Sequence, residues 1–275
     1  MSELVLDQKV HVVSSGDRPL QLAANFWFIT AVFGQWLFAS YLMLFYGGTA
    51  ARGELHLWKE KLTHGYVPGD SVGNTAVAAH LLLAVIIMLL GSLQLIPQIR
   101  TRLPVFHRWS GRLYLLAVVA TSIAGLYMLF VHGTVGGLVL QVAQSLDALL
   151  ILVFAGIALR AAMQRDFKAH RRWALRLFMV VSAVWFFRVG LMLWLVIHQA
   201  PVGFDPNTFT GPFVTFIAFA QYVIPLLVLE CYFRAQDSAS ARAKIALSAV
   251  LVILTLAMAM GIFGAWMGLW LPNLK

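Results

Sequence analysis

The chain has 275 residues, 61% hydrophobic and 11% charged, about half the charged share of an ordinary soluble domain, which excludes a water-soluble globular protein. A net charge of +9 would suggest nucleic acid in a soluble chain. Here the basic residues sit in short connections between apolar runs, so nucleic acid is excluded as a partner and the lipid bilayer takes its place. The one cysteine, Cys231, excludes an intramolecular disulfide, and the lack of Cys-x-x-Cys-His excludes covalent c-type haem.

In chain order, the first residues contain acids and lack an apolar signal region, and residues 1–24 read as a cytoplasmic tail. Apolar spans follow at 25–46, 74–96, 110–131, 139–162, 173–199, 213–233 and 244–270, each close to the twenty or so residues a bilayer crossing needs. The expected fold is all-α: one polytopic membrane domain over 25–270 with seven transmembrane helices, helices 2 to 5 (74–199) forming a four-helix core. Thirteen of the 20 basic residues lie at the connections after the second, fourth and sixth spans, among them Arg100, Arg108, Arg112, Arg171, Arg176 and Arg234. The positive-inside rule then predicts the N-terminus inside and the C-terminus outside. The outer loop 47–73 contains Leu55, Trp58 and Leu62 at helical spacing with charges opposite, the pattern of an interfacial helix. Its histidines, His56 and His64, read as polar loop residues.

The start of the third helix, Phe106-His107-Arg108-Trp109-Ser110-Gly111-Arg112-Leu113-Tyr114, is echoed at the fifth, Ala169-His170-Arg171-Arg172-Trp173-Ala174-Leu175-Arg176. Both boxes sit at the arginine-rich interface on helices running the same way, a cue to a pseudo-repeat. With His80, Gly91-Ser92-Leu93-Gln94, Pro97 to Arg100, the Gly136-Gly137 turn and Arg188, they resemble a bacterial family of predicted membrane proteins grouped as domain of unknown function 2306, over roughly residues 74–195. That resemblance implies topology and names no reaction; the helical spans and the charge bias imply a bacterial inner (cytoplasmic) membrane. The chain is also distantly similar to four-helix, di-haem b-type transmembrane cytochromes, in which two histidine pairs hold one haem near each membrane face. That similarity implies haem b, electron transfer and a quinone or redox-protein partner.

Ionisable groups inside a membrane are expensive and become functional candidates. His107 and His132 are about 37 Å apart along the third helix and His170 and His198 about 42 Å apart along the fifth, so each helix carries a histidine near both faces. The layout predicts an inner pair, His107 with His170, and an outer set, His80 with His132 or His198, as metal ligands for one or two haems. Arg108, Arg112, Arg171 and Arg176 lie in the layer where propionates need cations, and Arg188 is a further cofactor contact. The fourth helix has no histidine, which departs from the di-haem pattern.

The competing reading is a non-haem transporter or assembly partner braced by an Asp147–Arg188 ion pair, since the two groups reach similar depth in the fourth and fifth helices. Glu230, near the inner end of the sixth helix, is expected to snorkel or to pair with Arg234 one turn on.

Overall fold

The structure, a computed structural model, describes residues 15–62 and 65–274, so His64 and most of the expected tail lie outside the described residues. Helix α1 (Asp17–Leu42) passes through a π-helical turn, Met43–Gly47, into α2 (Gly48–Ala51). Then follow α3 (Ser71–Gln94), α4 (Pro97–Arg102), α5 (Pro104–Val131) and α6 (Gly137–Met163). The chain continues through α7 (Phe167–Val181), α8 (Ala183–His198), α9 (Pro212–Asp237) and α10 (Ala241–Ala265), which ends in a second π-helical turn, Trp266–Trp270. Six continuous helical stretches are long and apolar enough to cross a bilayer, and the pair α7 and α8 makes up to a seventh. The all-helical membrane architecture is as the composition requires.

Two boundaries extend beyond the apolar runs for physical reasons. Helix α1 begins at Asp17, ahead of residue 25, because its polar first turn is held: Asp17 forms an ion pair with Lys244 of α10, whose side chain is almost fully buried. Helix α5 begins at Pro104, in the first helical turn, where a missing N–H costs nothing. Within the outer loop, Leu55–Glu60 forms a short 3₁₀ turn rather than a free interfacial helix. Trp58 is buried against the bundle and donates from Nε1 to Thr49 Oγ1 at 2.8 Å.

The fifth span is broken. Helices α7 and α8 meet at Ser182 with a bend of 51°, and the Gln35 amide of α1 donates to Ser182 Oγ at 2.9 Å in a buried contact. A side chain meeting the helix at the break is a recognised cause of a kink. Its consequence is a change of neighbours: α7 packs on α6 and α9, whereas α8 packs on α10 and α9.

Sequential spans α3, α5 and α6 pack side by side, and α1 and α10 pack on each other while bridging α3 to α8. The first and last helices therefore join α3 at one end of the row to α8 at the other. Large apolar side chains such as Phe33, Leu116 and Ile253 face outward, as lipid contact allows, while small and weakly polar residues such as Ala31, Ala143, Ser92 and Thr255 fill the interior. In a bilayer the hydrophobic effect does not press helices together, so close backbone approach and interhelical hydrogen bonds carry association. Trp36 Nε1 donates to Ser92 Oγ at 3.0 Å between α1 and α3. On α10, a Cβ at Gly261 would lie 2.4 Å from the Val189 carbonyl oxygen of α8.

Candidate functional site

At the arginine-rich end, the first turns of α5 and α7 carry His107 and His170. Asp166 caps α7, its Oδ1 accepting from the Ala169 N–H at 2.9 Å, which fixes the turn that presents His170. The His170 ring Nδ1 lies 2.9 Å from the Ala158 carbonyl of α6. A carbonyl can only accept, so Nδ1 donates there, and in the neutral ring this leaves Nε2 bare, the tautomer in which a histidine ligates a metal. His107 and His170 stand at the same end of the bundle, within electrostatic reach of each other.

His107 is held by Gln94 at the end of α3. In one amide orientation Gln94 Nε2 donates to Ser110 Oγ at 2.7 Å, and its Oε1 faces His107 Nδ1. In the other, Nε2 donates to His107 Nδ1 (3.1 Å) and to the His107 carbonyl (3.2 Å), while Oε1 accepts from Gly111 N and Ser110 Oγ. The second orientation satisfies both ends of the amide, whereas the first sets Oε1 against the His107 carbonyl; in the second, His107 Nδ1 accepts, so the proton of the neutral ring lies on Nε2, the opposite tautomer to His170. Gly111 permits this approach, since a Cβ there would meet Gln94 Oε1 at 2.9 Å.

The arginines divide into two groups. Arg176 donates to Glu230 Oε1 at 2.7 Å and stacks over Trp173 and Phe233. It is thus committed to α9, and Glu230 pairs with Arg176 rather than with Arg234. The reason is that α7 packs on α9, which brings a guanidinium to Glu230 from across the interface. Arg112 stacks on Trp109 at 4.8 Å, and Arg108 and Arg171 are exposed at the same end. Those three remain placed to meet an anionic group. Deeper in the bundle, Tyr114, Val118, Leu177 and Val180 are buried in one cluster, so the space between the two histidines closes within about two turns.

The outer histidines are dispersed. His132 Nε2 lies 2.8 Å from Asp70 Oδ2. The His198 ring stacks on Trp194 at 3.8 Å and places Nδ1 against the Trp194 carbonyl at 3.0 Å. His80 of α3 packs against Gly125 of α5, where an added Cβ would sit 3.5 Å from its ring, and its buried Nδ1 has no hydrogen-bond partner. Asp70 also caps α3, accepting from the Gly73 N–H at 2.8 Å. That bond and then the His132 contact hold its carboxyl below the usual value of 3.8. A carboxylate depressed in the folded chain contributes stability that is present above its unfolded value and lost as pH falls through the folded one. Melting of the detergent-solubilised chain should show a loss of Tm below about pH 4, and Asp70→Asn should flatten that dependence.

The expected Asp147–Arg188 pair is not formed. The bend at Ser182 turns α8 away from α6, and Arg188 instead stacks over Phe38 of α1 at 5.2 Å and donates to the Val184 carbonyl of its own helix at 3.1 Å. Tyr41, Tyr46 and His80 lie within electrostatic reach of its guanidinium. Asp147 is buried on α6, its Oδ1 without a hydrogen-bond partner, and lies near Tyr222 of α9, whose hydroxyl is also unpartnered. Arg188 on the same face as His170, as an unbroken helix would give, is likewise undone by the bend. Sequence reasoning gave no role to Gln35, Tyr41 or Tyr46. The available signal was the polar Gln35 inside an apolar run and the aromatic density from Phe38 to Tyr46.

The fold and these two clusters define a polytopic helical membrane protein with histidine and arginine gathered at one end and a lone guanidinium among aromatic rings on α1 and α8. The chain belongs to the family described as Predicted membrane protein (DUF2306), whose model matches residues 77–224. That stretch, from α3 into α9, contains His80, His107, His170 and Arg188. No match was found among curated proteins or among solved structures.

Proposed function

We propose that the chain is a b-type cytochrome of a bacterial inner membrane, with one haem b ligated by His107 and His170 at the arginine-rich end. The observation that carries this reading is His170, whose Nδ1 is committed to the Ala158 carbonyl, at the same end of the bundle as a second imidazole, His107, that Gln94 holds at its Nδ1; ligation through Nε2 would turn the Gln94 amide so that Oε1 takes the Nδ1 proton. Bound there, haem supplies a one-electron iron couple. His107 and His170 would hold the iron, with Gln94 and Ala158 orienting their rings, and Arg108, Arg112 and Arg171 would neutralise the group's carboxylates near the interface. Arg176 is committed to Glu230 and stays structural. His80, with neither outer histidine on its free nitrogen, is not assigned a second haem. The electron partner, a membrane quinol or a redox protein, would meet the exposed arginines.

The reading is tested by a dithionite-reduced minus oxidised spectrum and a pyridine haemochrome assay on the detergent-purified chain, with about one haem per chain expected. A colourless protein after expression with ample haem would overturn it in favour of the non-haem transporter, whose basis is the two intramembrane ionisable groups, Asp147 and Arg188, which do not pair with each other. Replacing Gln94 with leucine removes the ring's orienting partner without touching a ligand. Haem affinity should fall about 10- to 100-fold, as for other ligand-orienting contacts, read from haem retention during dilution.

A further inference from the structure

Arg188 is an always-charged group within a membrane-spanning element, and among the described residues no carboxylate pairs with it. One of its five N–H donors reaches the Val184 carbonyl; the face of Phe38 takes part of the charge but neutralises none of it. Around it stand phenol hydroxyls. Tyr41 and Tyr46 lie within its electrostatic reach and hydrogen-bond to each other, Tyr46 donating to Tyr41. Tyr41 Oη also lies 3.5 Å from the donor amide of Asn273, which leaves its own hydrogen to be given elsewhere.

The backbone is irregular at the same place. Both α1 and α10 leave the regular helical pattern here, in the π-helical turns Met43–Gly47 and Trp266–Trp270. These turns contact each other's neighbouring segments, and Phe38 stacks on Trp270 at 5.1 Å. Such turns recur at functional sites because they re-aim side chains without ending a helix.

We propose that Arg188, with the hydroxyl of Tyr41, forms a binding site for a monovalent anion, either a small dissolved ion or the carboxylate of an amphiphile. A neutral ligand would leave the guanidinium uncompensated, whereas one negative charge balances it and accepts from the guanidinium and from the Tyr41 hydroxyl. The site is separate from the histidine pair and stands whether or not haem is bound.

The test is thermal unfolding of the detergent-purified full chain, followed by tryptophan fluorescence at constant ionic strength, with sodium gluconate replaced stepwise by chloride, acetate or decanoate. A saturable rise in Tm with chloride or acetate supports a dissolved anion, and a rise with decanoate alone supports the amphiphile. Arg188→Gln should abolish the rise and Arg188→Lys should keep it, while Tyr41→Phe should move its midpoint about tenfold higher, the loss of one charge-assisted hydrogen bond. Equal Tm in all four anions overturns the proposal, as does an undiminished rise in Arg188→Gln. Should that variant not fold, an unmoved midpoint in Tyr41→Phe overturns it instead.

Discussion

Alanine at His107 or at His170 is expected to strip the chain of its Soret band, leaving less than about a tenth of the wild-type haem after purification, because an axial ligand is lost outright rather than weakened. Neither histidine is part of a buried cluster, and both are only partly buried at the mouth of the bundle. The apo variants should therefore express and melt like apo wild type, which separates ligand loss from misfolding. His132→Ala and His198→Ala, whose rings are spent on Asp70 and Trp194, should retain full haem. Unchanged haem content in both the His107 and His170 variants would falsify the assignment.

A leucine at Gly261 is expected to cause the largest loss of stability of any single change on α10. A Cβ there already meets the Val189 carbonyl at 2.4 Å and the Val189 side chain at 2.7 Å, and backbone cannot swing aside as a side chain can. Overpacking of this kind costs about 1–3 kcal/mol, or about 2–4 °C of Tm per kcal/mol in a chain of this size class. The displacement falls on Val189, next to Arg188. Gly261→Leu should therefore also disturb the Arg188 stack on Phe38 and reduce the response to anions, while leaving the histidine pair on α5 and α7 intact. A Tm within one degree or so of wild type would mean that α8 and α10 do not approach as closely as described.

The spans were legible because twenty apolar residues in a row leave little alternative, and the histidine boxes because two matching sequences at two helix starts place their imidazoles at one level. Gly111 and Gln94 lay in those same motifs, yet their contact joins the end of one span to the start of the next, and no single-helix period displays it. The Asp147–Arg188 pair was misread for a definite reason: depth was counted along an unbroken fifth helix. Nothing within Val181-Ser182-Ala183 announces a 51° bend, since neither proline nor glycine stands there; the cause is Gln35, almost 150 positions away. Once that bend is admitted, Arg188 leaves α6 for α1, and the guanidinium finds phenols instead of a carboxylate. Glu230 shows the same limit, since a partner across a helix interface displaced the nearer candidate on its own helix.

The joining of α1 to α10 has a consequence for how the chain is made. Asp17 and Lys244 are separated by 227 positions, so the first helix enters the membrane long before its chief neighbour has been synthesised. Until then the face of α1 around Gly34, which meets Ile262 of α10, must be tolerated by lipid or covered by other proteins of the insertion machinery. Closure of the bundle thus waits for α10, and non-local contacts of this span are the slow ones. A chain halted before α10 should remain open along that seam, sensitive to proteases and to extraction, even though every histidine and arginine of both clusters has already been made.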